Sequence, residues 1–244
     1  MTSGGSRFDS ATRRALAVLG VTQIVSWGAL FYGMMLFGPR IMAETGWSNS
    51  FVYAGFSLAL VVSGAAATPV GAAIDRHGGR PVMALGTLAG GLGFLLLALS
   101  TGPIAYFSAF VLIGLGMAGS LYDPAFAALA RIAGPNARRA ISMLTLAGGF
   151  ASTVFWPVGF WLLGQMDWRM VAMVYAALVG IACSALHFFA LPDRSWSSHG
   201  TAAQTSPAPE APPLAPPEAR GVLLALFAFV VICHGGITNA FSVH

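Results

Sequence analysis

Seven long apolar runs constrain what this chain can fold into more than any other feature of its sequence. They cover residues 15–37, 50–74, 81–99, 104–130, 140–163, 170–190 and 221–243. A helix of about 20 apolar residues crosses the hydrocarbon core of a bilayer, whereas membrane β-strands alternate apolar and polar residues. Only 8% of the residues are charged, against about a quarter in soluble domains. The sequence therefore predicts an all-α integral membrane protein.

The positive charges alternate between the connections of these runs. All 12 basic residues are arginines, and in an antiparallel arrangement ten of them fall on one side, while only Arg40 and Arg169 fall on the other. Because arginine-rich loops stay in the cytoplasm, we predict a cytoplasmic N-terminus in a bacterial inner (plasma) membrane. A signal peptide is the alternative for the first run, but that run is too long and no suitable cleavage site follows it.

Composition divides the chain into four segments. Residues 1–14 are predicted to be a cytoplasmic N-terminus, residues 15–190 a six-helix transmembrane bundle and residues 221–244 a seventh helix. Residues 191–220 contain seven of the 14 prolines, which favours a semi-extended cytoplasmic linker. A proline-rich ligand for a partner domain is the alternative. A bundle followed by one further helix predicts a truncated chain, in which the seventh helix begins a missing second half.

The connection between the second and third runs contains a recognisable motif, Gly-Ala-Ala-Ile-Asp-Arg-His-Gly-Gly-Arg, starting at residue 71. It resembles the signature loop of the major facilitator superfamily, in which glycines, an aspartate and basic residues recur at fixed spacing. The matching residues are Gly71, Asp75, Arg76, Gly78 and Arg80. Gly79 stands where the family usually has a basic residue. We expect Gly71 to permit close helix approach and Gly78 a tight turn.

The resemblance implies a secondary transporter. The six helices would form the N-terminal half of a twelve-helix protein, as two inverted three-helix repeats, with substrate bound between the halves and alternating access. The loop would be a cytoplasmic latch that stabilises the outward-open state; the alternative is a charged loop that only fixes topology. Tyr32-Gly33, Gly38-Pro39 and Gly46-Trp47-Ser48 are similar to the monocarboxylate and oxalate/formate branch. Drug-exporter signatures in the fourth and fifth helices are missing, which disfavours multidrug antiport.

Asp123 is the only acid well inside a predicted span. A charged carboxylate facing lipid costs several kcal/mol, so we expect Asp123 to face protein or a water-filled cavity. Pro124, which follows it, should leave the carbonyl of Ser120 without its helical donor. One interpretation is a proton-coupling or substrate-binding carboxylate; the other is a structural ion pair with an arginine, Arg80 or Arg131.

Four further side chains are candidates for lining a central cavity: Gln23, Trp27, Trp156 and His234. Packing or hydrogen bonding between helices is the alternative for each. His187, near a helix end, is expected to reach the lipid headgroups. The glycines of residues 114–119 match a dinucleotide-binding fingerprint, but they lie in an apolar run with no strand before it, which indicates helix packing.

These observations predict a secondary active transporter of a small solute, an organic anion or metabolite, coupled to protons. No enzyme, cofactor, metal or nucleic-acid function is indicated. The expected partners are the lipid bilayer, the solute, protons and the missing C-terminal six-helix half. The alternatives are a non-transporting half-size remnant or scaffold, and a half-transporter that must dimerise.

Overall fold

The computed structural model describes residues 8–192, and all regular elements in that part of the chain are helical. This confirms the prediction of an all-α protein. The predicted seventh helix, with His234, and all but the first two residues of the predicted linker lie outside the described residues. The α-helices are α1 (Ser10–Ser26), α2 (Gly33–Thr45), α3 (Asn49–His77), α4 (Gly79–Leu99), α5 (Pro103–Ser120), α6 (Tyr122–Ala133), α7 (Ala137–Gly149), α8 (Ala151–Gln165) and α9 (Trp168–Ala176).

π-Helical turns extend two of these helices. One turn, Trp27–Phe31, connects α1 to α2, and two more, Ala177–Cys183 and Leu186–Ala190, continue α9. A π-helical turn contains an extra residue, so it rotates the positions that follow it relative to a regular α-helix. The faces of these two segments therefore cannot be assigned from a 3.6-residue period.

Five continuous helical stretches in the described residues are long and apolar enough to cross a membrane. The longest, Pro103–Gln165, has 63 residues, and as a straight helix it would measure about 95 Å, three times the hydrocarbon core. Instead, α6 packs against α7, and Gly134 between them has a positive φ of 53°. The stretch therefore folds back at Gly134, and its two arms correspond to the predicted runs 104–130 and 140–163.

Glycines allow α4 and α5 to pack with their backbones almost in contact. A Cβ atom added to Gly116 would lie 2.5 Å from the Cα of Gly90, and one added to Gly119 would lie 2.7 Å from the Cα of Gly86. Small residues permit such close approach in membranes, where dispersion contacts replace the hydrophobic effect between helices. The run at residues 114–119 is thus a helix-packing surface, as its apolar context predicts.

One end of the bundle, where α3 meets α4 and α6 meets α7, is called here the arginine-rich end. Its side chains tie separate helices together through main-chain carbonyls. Arg131 donates to the carbonyls of Ile74 and Asp75, and Arg80 donates to the carbonyl of Phe188. Because the last carbonyls of a helix lack internal partners, the contacts with Asp75 and Phe188 cap α3 and the final π-helical turn, while the carbonyl of Ile74 also accepts from the N–H of Gly78.

Arg169 connects three helices at the opposite end. Its guanidinium pairs with Glu44 of α2 at 2.8 Å and donates to the carbonyls of Ala98 and Ser100 at 2.7 and 2.8 Å. Arg169 is therefore separated from Arg80 and Arg131 by the length of the helices, in agreement with the alternation of charge in the sequence. Which end faces the cytoplasm stays a prediction.

Candidate functional site

A break between α5 and α6 is the centre of the candidate site. Leu121 is extended, with φ −78° and ψ −156°, and α6 begins at the next residue. Pro124 has no N–H to donate to the carbonyl of Ser120. Gln23 of α1, which is fully buried, donates from Nε2 to Ser120 O at 2.7 Å and to Leu121 O at 3.3 Å. The side chain of α1 thus replaces the missing helical donor.

Asp123 lies in the first turn of α6 rather than in the middle of a continuous helix. Its side chain is exposed and forms part of the wall of a cavity of about 250 Å³, together with Trp27, Ser63 and Tyr122. The N-terminus of a helix carries a partial positive charge, which favours a carboxylate there. The break therefore places an acidic group at a helix start beside a cavity.

Asp123 pairs with neither of the arginines considered from the sequence. Among residues 8–192 the ion pair formed is that between Glu44 and Arg169. Arg131 is directed to the end of α3 instead. The interpretation of Asp123 as part of a structural ion pair is therefore not supported by the described residues, and Asp123 is one of the residues that line the cavity.

Aromatic rings form the wall beside the carboxylate. The ring centroid of Trp27 lies 4.9 Å from that of Tyr122 and 5.2 Å from that of Phe31. The Nε1 atom of Trp27 is buried and has no hydrogen-bond partner in the described part of the chain. Tyr122 donates its hydroxyl proton to the carbonyl of Thr145 at 3.2 Å. Sequence reasoning missed Tyr122, although its position next to Asp123 was a usable signal.

The structure brings together only some of the candidate side chains. Trp27 and Asp123 share the cavity, and Gln23 contacts the break beside them. Trp156 lies on α8, where it packs against the apolar core and stacks on Phe160 with centroids 5.6 Å apart. Trp156 is therefore not among the residues that line this cavity.

The residues of the signature loop have different surroundings. Gly78 ends α3 with a φ of +83°, which is the tight turn that the sequence predicts. A Cβ atom at Gly71 would meet no atom within 4 Å in the described residues, so the expected close helix approach is not made within this part of the chain and stays a prediction. The side chains of Asp75 and Arg76 are exposed at the arginine-rich end.

His187 corrects another expectation. It does not reach the headgroups: its side chain is fully buried, with Nε2 2.9 Å from the Thr22 hydroxyl oxygen of α1. The physical reason is the pair of π-helical turns in this segment, because their extra residues change the direction in which the following side chains point. His187 is thus part of the contact between the first helix and the last described one.

Long apolar helices, packed through glycines beside an acidic cavity, are the architecture of a polytopic membrane protein. The family model of the Major Facilitator Superfamily matches residues 19–244. The chain belongs to this superfamily.

Relatives of known name support the assignment. Multidrug resistance protein MdtH of Klebsiella pneumoniae (strain 342) is 33% identical over 159 residues, which cover 64% of this chain and 39% of that protein. MdtH of Enterobacter sp. (strain 638) is 32% identical over 190 residues, 77% of this chain and 46% of the relative. The chain thus spans less than half the length of these relatives. The similarity to the monocarboxylate branch stays a prediction.

Proposed function

We propose that this chain supplies one half of a proton-coupled secondary transporter, in which Asp123 binds the proton and contacts the solute. The observation that carries the proposal is the exposed side chain of Asp123, which lines a cavity at a broken helix and pairs with no arginine among residues 8–192. An ionisable group in such a place is costly in a membrane and is characteristic of proton and ion pathways. If the proton and the solute cannot occupy the same carboxylate at once, release of one accompanies binding of the other, and the proton gradient drives movement of the solute.

The break at Leu121 provides a means of linking that carboxylate to movement. Asp123 lies at the start of α6, whose other end carries Arg131 and its hydrogen bonds to α3. Protonation would remove the favourable interaction of the charge with the start of α6. A small displacement of α6 would then reach the signature loop, which we assign the role of a latch in alternating access.

The lining of the cavity favours a cationic aromatic solute over the organic anion expected from the sequence. One carboxylate and the rings of Trp27 and Tyr122 face the space, and none of its lining residues in the described part of the chain is basic. Cations are attracted both by the carboxylate and by the faces of aromatic rings. An anion would need a positive group from elsewhere in the protein. The relatives are named multidrug resistance proteins, which favours a drug-like solute, although the drug-exporter signatures of the fourth and fifth helices are missing from this sequence.

Transport by the full-length protein in proteoliposomes tests the proposal. With an imposed proton gradient, we expect uphill movement of ethidium or tetraphenylphosphonium, both aromatic cations, in preference to oxalate. Asp123→Asn should abolish uphill movement, because the neutral side chain cannot release a proton. Downhill exchange should persist with weaker solute binding, because the aromatic rings still attract the cation. Asp167→Asn is the matched control, since Asp167 caps α9 and asparagine caps a helix about equally well.

Each outcome has a separate meaning. Uphill transport that survives in Asp123→Asn would refute proton coupling through this residue. Preference for oxalate would refute the cationic substrate class and restore the organic anion. Absence of all transport by a folded full-length protein would favour the non-transporting alternative.

A further inference from the structure

An apolar groove lies on the surface between α4 and the last described helical segment, close to the arginine-rich end. Its volume is about 500 Å³. Its walls include Pro81, Leu85 and Leu88 from α4 and Ile181, Ala185 and Phe188 from the other segment. Leu85 and Ile181 are 65% and 71% exposed. The groove shares no lining residue with the Asp123 cavity, so it is a separate feature of the molecule.

Two arginines lie at the end of this groove. Arg80 donates from Nε to the carbonyl of Phe188 at 2.8 Å, and its guanidinium lies 5.6 Å from the centroid of the Phe188 ring. Arg14 of α1 donates from Nη2 to the carbonyl of Phe189 at 3.2 Å. A guanidinium has five N–H donors, so both side chains retain donors after these contacts. The lining residues of the groove include no acid.

We propose that this groove is a binding site for one anionic phospholipid. The phosphodiester lies between Arg80 and Arg14, and an acyl chain runs along Leu85 and Ile181. From Pro81 to Leu88 the wall extends about 10 Å along the helix axis, which accommodates the part of an acyl chain nearest the headgroup. This proposal does not depend on the solute or on proton coupling.

Charge and polarity together favour this occupant over a protein. In a bilayer, exposed leucine, isoleucine and phenylalanine side chains already have acyl chains as their solvent. Each arginine near a membrane surface attracts anionic lipid by about 1 kcal/mol. A second helix in the groove would match the two arginines only if it carried acidic residues at that one end. A zwitterionic lipid carries a compensating positive charge, so the arginines select for net negative charge.

Lipid binding to the purified chain, measured by native mass spectrometry, tests the site. The probes are phosphatidylglycerol and phosphatidylcholine with identical acyl chains. We expect one tightly bound phosphatidylglycerol, and Arg14→Gln should weaken its binding about fivefold without changing phosphatidylcholine binding. Arg13→Gln is the matched control, because Arg13 is also exposed and its substitution removes the same charge one residue away. Ala185→Phe, at an exposed lining position, should fill the groove and weaken binding of both lipids.

The arginine substitutions test the headgroup contact, and the groove-filling substitution Ala185→Phe tests the acyl-chain contact. Equal loss of phosphatidylglycerol in Arg13→Gln and Arg14→Gln would show attraction to general surface charge and overturn the site. A chain that binds no lipid there, or that forms a dimer that protects Ala185, would also overturn it. Should Ala185→Phe not fold, the comparison of the two arginine variants still decides, since both change solvent-exposed side chains.

Discussion

Replacement of Gln23 by leucine should destabilise the break between α5 and α6. Leucine keeps the site apolar and filled, but it removes the donor that lies 2.7 Å from Ser120 O. The carbonyl of Leu121 keeps a second donor, the N–H of Ala125 at 3.3 Å, so the loss falls mainly on Ser120. A buried acceptor without its donor costs about 1–3 kcal/mol.

A second effect of the same substitution acts in the opposite direction. The Oε1 atom of Gln23 is itself buried without a partner in the described residues, and leucine removes that unfavourable group. We therefore expect a net loss near the lower part of the range, about 1–2 kcal/mol. For a chain of this size, that corresponds to a decrease in melting temperature of about 2–8 °C.

The decrease in melting temperature is measured by heating the protein in detergent and recording the fraction that stays monodisperse. Gln165→Leu is the matched control, because Gln165 is exposed at the end of α8. Pro124→Ala provides a sharper test, since alanine supplies an N–H that can reach Ser120 O once Leu121 changes from extended to helical backbone. The double variant Gln23→Leu/Pro124→Ala should then lose less stability than the sum of the two single variants. The reasoning is refuted if Gln23→Leu unfolds at the same temperature as Gln165→Leu, or if the stability losses of Gln23→Leu and Pro124→Ala are additive in the double variant.

Two further predictions concern the glycine contact and the signature loop. Gly116→Ala should destabilise the protein by about 1–3 kcal/mol, because its Cβ would meet the backbone of Gly90. Gly64→Ala is the control and should be neutral or stabilising, because a Cβ there meets no described atom within 4 Å. Comparable melting temperatures for the two variants would contradict this prediction. Asp75→Asn should slow transport, because it removes the charge of the proposed latch. Expression and membrane insertion should be unchanged, because the contact with Arg131 uses the main-chain carbonyl of Asp75 and survives the substitution. Failure to insert would instead indicate a purely structural role.

The sequence determined the class of fold, because hydropathy and helix propensity are local properties. Long apolar runs have to be helical in a bilayer, where each main-chain polar group needs an internal partner. The freed carbonyl of Ser120 is equally local, since it follows from the absence of an N–H in Pro124. The assignment of residues 114–119 to helix packing required only their apolar context. These inferences agree with the structure.

Only the tertiary structure decided which side chains meet. Gln23 is 97 residues away from the Ser120 carbonyl that it contacts, and nothing in either local sequence specifies the other. His187 is buried against Thr22 instead of reaching the headgroups, and the π-helical turns of its segment change the period from which its direction would be read. Partners across helices are set by the rotation and separation of whole helices, and these depend on glycine contacts distributed along the chain. The sequence therefore indicated Asp123 and its neighbour Tyr122, while the packing of the first helical segment against α5 and α6 placed Trp27 beside them.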